Sequence, residues 1–399
     1  MHKSAFITTI LRTPVGKYGG TLATVRPDDL LAHALREVIR ANPGLDTSQI
    51  EEVIAGAANQ SGEDNRNVAR MAALLAGLPK EVAGVTVNRL CASGLQAIID
   101  CARGILTNQG DLYLAGGVES MSRAPFVMAK SEEPFSRKAE VYDTTLGWRF
   151  TNPALAKLYH PYSMGETAEN VAAQWNIARA EQDQFGLASQ QKYFQAAAQK
   201  RFQEEILPVP VWRGKETVLF EADEYPRQTS LEKLASLKPA FREGGTVTAG
   251  NSSGLNDGAA AALLASEEAL NKFQLNPLVR VVAMAVAGVD PAYMGVGPVP
   301  AVKKVLQRAG LKIQDIGLVE LNEAFASQAI ACIRELDLDP ALVNVNGGAI
   351  AIGHPLGCSG VRISATLIHE MKKRHVKYGL ASMCVGVGQG VAIVYENVG

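Results

Sequence analysis

Two cysteines, a histidine and an asparagine, each set beside glycine-rich turns, are the residues of this chain best suited to chemistry. Cys91 lies in Val87-Asn88-Arg89-Leu90-Cys91-Ala92-Ser93-Gly94-Leu95. A mostly apolar run, 82–87, leads into it, and Leu95, Ile98, Ile99, Ala102 and Ile105 follow at helical spacing. The cysteine is therefore predicted at a strand-to-helix turn, near a helix N-terminus. Unpaired backbone N–H groups and the positive end of the helix dipole favour a thiolate there. A thiolate is a nucleophile, so the position suits covalent catalysis. Taken alone, the segment fits a small buried hydrophobe as well, which is what most free cysteines are.

Three later segments add to it. Asn322-Glu323-Ala324-Phe325-Ala326 puts an amide and a carboxylate at the end of an apolar strand entering a helix. An N-cap is the plainer role for such residues. Asn346-Gly347-Gly348-Ala349-Ile350-Ala351-Ile352-Gly353-His354-Pro355-Leu356-Gly357 is glycine-rich. Its backbone can approach a ligand closely and take unusual dihedrals, and His354 is suited to bond a thiol or thioester oxygen. Cys384-Val385-Gly386-Val387-Gly388-Gln389-Gly390 sets a second thiol beside backbone N–H groups that can form an anion hole. Phosphate binding is the other use of such glycines, but neither loop ends in the Lys-Ser/Thr of a P-loop.

The elements that must position these residues occur twice. A helical pattern over 31–39 precedes Ile50-Glu51-Glu52-Val53-Ile54-Ala55-Gly56, and one over 302–309 precedes Ile316-Gly317-Leu318-Val319-Glu320-Leu321-Asn322. Val85-Thr86-Val87-Asn88 has a counterpart in Val343-Asn344-Val345-Asn346. Cys91-Ala92-Ser93-Gly94 and Cys358-Ser359-Gly360 each precede an amphipathic helix. Leu112-Tyr113-Leu114-Ala115-Gly116-Gly117 mirrors Tyr378-Gly379-Leu380-Ala381-Ser382-Met383. The pattern predicts an α/β protein with two duplicated βαβ-rich halves and mostly parallel sheets.

Residues 121–248 differ from both copies. They hold eight prolines and all three tryptophans, Trp148, Trp175 and Trp212, with a helical pattern over 168–201. This reads as a loop-rich insertion of the kind used for lids and binding. The core resumes at Gly250-Asn251-Ser252-Ser253-Gly254-Leu255-Asn256-Asp257-Gly258, followed by an Ala-rich strand or helix. The expected division is 1–120 for the N-terminal half, 121–248 for the insertion, 249–272 completing the N-terminal half, and 273–399 for the C-terminal half.

Composition narrows the classes. With 399 residues, 47% hydrophobic and 20% charged, the chain has ample core. A net charge of −1 gives no global basic field, so no nucleic-acid partner is expected. Five cysteines without a Cys-x-x-Cys pair argue against a disulfide framework or a structural zinc site. No apolar stretch is long enough to span a bilayer, so no membrane partner is expected. The first residues lack a signal-peptide core and the last are not a peroxisomal tripeptide. A reducing cytoplasmic location is the expectation.

With these four blocks in this order, the chain resembles the thiolases, from Arg12-Thr13-Pro14 to Tyr395. The resemblance implies a thiolase fold, with the halves in an α-β-α-β-α layered sandwich and an insertion that binds coenzyme A. It implies that Cys91 is the acylated nucleophile and that His354 takes its proton and polarises the thioester oxygen. Asn322 would position a water completing that first oxyanion site. The N–H groups of Cys91 and Gly386 would form a second one, and Cys384 would be the acid/base. It further implies ping-pong exchange of acyl groups between acyl-CoA substrates and coenzyme A. Coenzyme A is then a co-substrate, with no permanently bound cofactor and no metal, and the assembly is a homotetramer built as a dimer of dimers. Ser253 would lie near the pantetheine and Met164 in the substrate loop. Arg227, Phe241, Leu255 and Phe325 would line the nucleotide site or channel, their plainer readings being a solvated arginine and core hydrophobes.

Several stretches are similar to the 3-oxoadipyl-CoA branch of that family, which acts in aromatic degradation. They include Asn59-Gln60-Ser61-Gly62-Glu63-Asp64-Asn65-Arg66-Asn67-Val68-Ala69-Arg70, Asp143-Thr144-Thr145-Leu146-Gly147-Trp148-Arg149-Phe150 and Met294-Gly295-Val296-Gly297-Pro298-Val299-Pro300. The substrate loop reads Ser163-Met164-Gly165 where the acetoacetyl-specific branch usually carries His-Met-Gly. Gly165 stands where the oxoadipyl branch often has proline. A dicarboxylate substrate requires a cation near its far end, and Arg123, Arg149 and Lys157 lie in the right region. Broad 3-ketoacyl-CoA thiolysis, as in β-oxidation, and acetyl-CoA acetyl transfer are the alternative activities. A non-catalytic acyl-CoA-binding protein of this fold would have lost one of the chemical residues.

Overall fold

Both copies of the repeated pattern build strands in the same order. In the computed structural model, which describes residues 3–399, the N-terminal half places Ala5–Arg12 beside Asn256–Ser266, then Leu112–Ser120, Glu52–Gly56 and Ala83–Val87. The C-terminal half repeats this with Val279–Gly288, Gln389–Asn397, Tyr378–Val385 and Leu318–Leu321. Its fifth position shrinks to a single parallel bridge between Val319 and Val343, so 343–346 forms no strand. The two first strands pair antiparallel at Phe6–Arg280 and Ile7–Val279, joining the halves into one sheet. Gly16–Lys17 is its tenth strand.

The expectation of mostly parallel sheets is corrected. Among the described residues only three strand pairs are parallel: Glu52–Gly56 with each of Ala83–Val87 and Leu112–Ser120, and Leu318–Leu321 with Tyr378–Val385. The last strand of each half returns antiparallel beside the one before it. In the C-terminal half that return is a tight hairpin turning at 386–388, a length that permits only antiparallel pairing. In the N-terminal half the same return, from Ser120 to Asn256, holds the whole insertion. The insertion therefore emerges at the sheet position equivalent to the Gly386 turn. The Ala-rich segment is a strand buried along its entire length, as a central strand covered on both faces must be.

Helices Ser93–Leu106 and Leu356–Arg374 pack together between the two halves of the sheet, in one core that draws residues from both. Pro27–Arg40 and Val68–Leu75 cover the outer face of the N-terminal half. Pro298–Ala309 and Ala326–Glu335 cover that of the C-terminal half. These are the five layers expected. Cys358 sits inside the Leu356–Arg374 helix rather than ahead of it, buried in the central core.

The insertion carries helices Met164–Gln174 and Arg179–Ala198 and two small hairpins. It is tied to the core by Arg12, fully buried, which pairs with Glu205 at 2.6 Å and Asp223 at 2.7 Å. Burial costs such an ion its hydration, and two carboxylates with several hydrogen bonds offset that cost.

Glycine contacts set how closely the central helices meet. A Cβ on Gly94 would lie 2.5 Å from the Gly357 carbonyl oxygen, and one on Gly360 would overlap the Leu95 amide nitrogen. Backbone is the obstacle in each case, so neither position can be relieved by a rotamer change. Gly360→Ala is expected to cost roughly 1–3 kcal/mol or more and to displace the Cys91 turn. Chemical unfolding of the variant beside the parent protein measures it, and unchanged stability with full activity would contradict it.

Candidate active site

Cys91 lies in a 3₁₀ turn, Leu90–Ala92, that feeds directly into the Ser93–Leu106 helix. Asn88 holds the turn, donating to the Ala58 carbonyl at 2.9 Å and accepting from Leu90 N–H at 2.9 Å. Ser93 Oγ accepts from Arg89 N–H and donates to the Leu90 carbonyl. The Arg89 side chain reaches Gln389 at 2.7 Å, fastening the turn to the 386–388 hairpin of the other half. Two non-glycine residues at the site take left-handed backbone, Leu90 (φ +45°) and Val387 (φ +63°). For a β-branched valine that conformation is strained, and such strain clusters at functional sites.

The backbone N–H groups of Gly386 and of Cys91 itself lie close enough to the Cys91 sulfur to favour its thiolate. A Cβ on Gly386 would press on Leu90 Cδ1 at 3.2 Å and Met164 Sδ at 3.4 Å, so glycine allows this approach. The thiolate expected from the helix terminus is not the resting form. Burial pushes the Cys91 thiol up to about 11, outweighing the two N–H groups, with Glu119 adding to the rise. A local motif supplies N–H groups, but the packing around it decides the solvation.

His354 follows Gly353, whose φ of +113° is open only to glycine and whose Cβ would strike the Asn256 side chain. Asn256 Oδ1 accepts the His354 backbone N–H at 2.9 Å. Ser359 Oγ lies 2.6 Å from His354 Nδ1 and donates its own proton to the Pro355 carbonyl at 2.8 Å. With that proton committed, Nδ1 is the donor and Nε2 carries the lone pair. Asn322 Nδ2 approaches Nε2 at 3.4 Å. Asn322 Oδ1 is buried without a hydrogen-bond partner among the described residues, leaving an acceptor beside the imidazole. Neither Asn322 nor Glu323 is the N-cap of the following helix. Phe325 occupies that position without a side-chain cap, and Glu323 instead binds Ser189, Asn344 and the Ile350 N–H.

Burial, and then the charge of Arg362, lower His354 to about 3. The folded protein thus keeps the imidazole neutral while the unfolded chain protonates near the ordinary histidine value. The stability this contributes is complete above about 6.5 and lost as pH falls from there toward 3. His354→Asn should accordingly lose less stability than the parent between pH 7.5 and pH 5, by roughly 2 kcal/mol. Urea unfolding at both values checks it, and identical pH dependence would contradict it.

Cys384 is the next-to-last residue of the Tyr378–Val385 strand, buried against Ala168, Met294, Phe325 and Met164. Burial, and then the neighbouring Cys91, raise it well above the ordinary thiol value. A cavity of about 420 Å³ opens on Cys91, and His354, Asn322 and Cys384 lie outside its lining. Cys91, Leu90, Gly386, Val387 and Leu356 border it, and the insertion supplies Leu146, Trp148, Arg149, Tyr162, Ser163 and Met164. Glu119 also borders it, with its oxygens taken by the N–H groups of Ala58, Asn59 and Gly357.

The other sequence candidates divide. Phe325 packs against Cys384, and Phe241 meets Phe325 edge-on at 6.2 Å. Phe241 also explains Gly165, since any Cβ there would overlap its ring. Ser253 hydrogen-bonds the Ala324 carbonyl beside Phe325 at 3.1 Å. Arg227 is exposed, stacked over Tyr225 at 4.8 Å, and of the six candidate coenzyme A contacts only Met164 borders the cavity. Sequence reasoning missed Ser359 and Asn256, which orient His354, and Asn88 and Glu119, which fix the loops around Cys91. Only the spacing His-Pro-x-x-x-Ser, which turns Ser359 back under the imidazole in the first helical turn, left a signal.

Among the described residues no group of His, Cys, Asp and Glu is arranged to hold a metal, and no helix is long and apolar enough to cross a membrane. The arrangement suits acyl transfer: a thiol beside a pair of N–H donors, a neutral imidazole with a free lone pair, and a second thiol as proton carrier. Comparison with known proteins agrees with that chemistry. The thiolase N-terminal domain family matches residues 5–268 and the thiolase C-terminal domain family residues 275–397. The 3-oxoadipyl-CoA/3-oxo-5,6-dehydrosuberyl-CoA thiolase of Escherichia coli K12 is 55% identical over 99% of this chain and 100% of its own. The beta-ketoadipyl-CoA thiolase of Pseudomonas aeruginosa is 54% identical over 100% of both. Human mitochondrial 3-ketoacyl-CoA thiolase, solved in complex with CoA, superposes with a TM-score of 0.92 at 40% identity, covering 99% of this chain and 98% of that one. From its five layers to the turn around Cys91, this chain belongs to the thiolase family, acyltransferases that use coenzyme A as co-substrate.

Proposed function

We propose that this thiolase cleaves 3-oxoadipyl-CoA with coenzyme A to succinyl-CoA and acetyl-CoA. The observation that carries the substrate is full-length identity of 55% and 54% to two enzymes named for it. The residue roles are those the thiolase resemblance implies, and the geometry of the site supports them. Cys91 gives its proton to His354 Nε2 as its sulfur bonds the 3-keto carbon. The oxyanion at that carbon lies against the N–H groups of Cys91 and Gly386. The bond between carbons 2 and 3 then breaks, and its electrons pass into the enolate of acetyl-CoA. That enolate oxygen faces His354 and a water held on Asn322, and Cys384 protonates carbon 2. In the second half-reaction the coenzyme A thiol gives its proton to Cys384 and attacks the acyl carbonyl on Cys91. Cys91 leaves as a thiolate and recovers its proton from His354. Run backward, the cycle is a Claisen condensation.

In this reading residues 121–248 form the coenzyme A-binding unit inserted within the N-terminal thiolase half, which 249–272 completes, with Met164 on the cavity wall and Phe241, Ser253, Phe325, Arg227 and Leu255 as further contacts of coenzyme A outside it. The mainly apolar wall of Leu90, Met121, Ala124, Leu146 and Trp148 favours a second reading, broad cleavage of uncharged 3-ketoacyl-CoA chains. A thiolysis assay with free coenzyme A, comparing 3-oxoadipyl-CoA, acetoacetyl-CoA and a medium-chain 3-ketoacyl-CoA, separates them. Preference for the diacid supports the proposal, preference for uncharged chains supports the second reading, and activity on none makes the protein an acyl-CoA binder.

We further infer a cytoplasmic homotetramer, a dimer of dimers. Ala83–Val87 ends the sheet with one edge unpaired, and Phe126, Met128, Val141 and Leu158 leave apolar surface exposed on the insertion. Five free cysteines suit a reducing compartment. Sedimentation equilibrium at a mass four times that of the chain would support the assembly, and a monomer would refute it.

A further inference from the structure

We infer that Arg149 binds the far carboxylate of the acyl chain and so sets the enzyme's preference for a diacid substrate. The inference rests on the substrate reading above and adds the residue responsible for it. The cavity that opens on Cys91 is bordered by one cationic side chain, Arg149. Among the described residues Arg149 makes no ion pair and no side-chain hydrogen bond, although it is half-buried. Other cations of the same region are committed or turned away. Arg123 grips Glu63 with two bonds, 2.5 and 2.6 Å, and Lys157 is exposed on the short helix Pro153–Leu158, outside the cavity wall.

The segment carrying Arg149 is fixed while its guanidinium is left free. Trp148 Nε1 donates to the Tyr162 carbonyl at 2.9 Å, which ties the segment to the substrate loop. Asp143 accepts from Thr145 N–H at 2.8 Å, and Thr144 Oγ1 donates to the Pro125 carbonyl at 2.6 Å and accepts from Asn59 Nδ2 at 2.9 Å. The polar groups beside Arg149 are thus engaged with one another. Glu119, the carboxylate on the same cavity, is occupied by three backbone N–H groups and does not compete for the guanidinium.

A succinyl group on Cys91 carries its carboxylate two methylenes beyond the thioester carbonyl. In a mostly apolar cavity that charge needs a partner, and a guanidinium fork meets a carboxylate with two parallel hydrogen bonds. The binding is felt in both half-reactions, because the diacid end is present in the substrate and in the acyl-enzyme.

The test compares kcat/KM for 3-oxoadipyl-CoA with that for 3-oxohexanoyl-CoA, which has the same chain length and no terminal charge. In R149M and R149Q the diacid-to-neutral ratio should fall roughly 30-fold or more. Glutamine keeps a polar head suited to a half-buried position, so it covers the case of a methionine variant that folds poorly. A ratio unchanged from the parent, or a loss shared equally by both substrates, would overturn the assignment. If the parent protein itself prefers 3-oxohexanoyl-CoA, the substrate reading falls and Arg149's role falls with it. If the parent prefers the diacid and both variants keep that preference, the role of Arg149 alone is refuted.

Discussion

Cys91→Ala should lower thiolysis by about 10⁴-fold or more while the protein remains folded. The sulfur is the only atom lost, and the N–H groups of Cys91 and Gly386, His354 and the cavity all stay. Cys91→Ser should be nearly as poor. Burial already holds the thiol up to about 11, and a serine hydroxyl is a far weaker acid in the same place. His354, lowered to about 3, is a weak base at rest. Proton transfer therefore has to accompany carbon–sulfur bond formation, with the oxyanion stabilised as it develops. Intact-mass analysis after exposure to acyl-CoA gives a second readout. The parent should carry one acyl group, mapped to the peptide containing Cys91, and Cys91→Ala none. An adduct on Cys384 instead, or substantial activity without Cys91, would reverse the assignment of the two thiols.

The second large effect separates the half-reactions. Cys384→Ala should still be acylated on Cys91 by acyl-CoA, more slowly because coenzyme A then leaves as an unassisted thiolate, and should lose exchange of the acetyl-CoA α-protons with deuterated water by about 10³-fold. Burial and the neighbouring Cys91 hold Cys384 protonated at neutral pH, which suits a group whose task in cleavage is to donate a proton to carbon 2. Its withdrawal from water among Ala168, Met294 and Phe325 also keeps bulk solvent from quenching the enolate. Persistence of exchange in the variant would move the acid/base role to another residue, with His354 the nearest alternative. Loss of acylation as large as the loss of exchange would mean that Cys384 supports Cys91 rather than moving the substrate's proton.

Much of this site was legible in the sequence because its residues sit on local devices. The strand-to-helix turn at Cys91, the glycine before His354 and the hairpin at Gly386 are each fixed by neighbours in the chain. The duplication was legible for the same reason, as each element carries its own periodicity. Strand direction was not. Whether a strand returns parallel or antiparallel depends on where its partner lies, and the long insertion hid the hairpin that joins Ser120 to Asn256. The N-cap reading of Asn322 failed because the helix starts four residues later, at Ala326. That leaves Asn322 free to face His354.

By itself, the sequence determined the family and the reaction and pointed to the groups proposed to perform it, since four ordered blocks carry both the reactive side chains and the turns that present them. Tertiary structure decided the rest. It brought the Gly386 N–H to the Cys91 sulfur and the Asn322 amide to His354, pairings between distant segments that no local periodicity encodes. It reversed the expected charge of Cys91, because solvation depends on everything packed around a group and not on the helix end it occupies. It gave Gly165 its reason in the ring of Phe241. It also separated three equivalent-looking cations, leaving Arg149 unpaired at the cavity while Arg123 was claimed by Glu63. Local sequence specifies which atoms are available, and long-range packing specifies their neighbours, their hydration and therefore their protonation and their use.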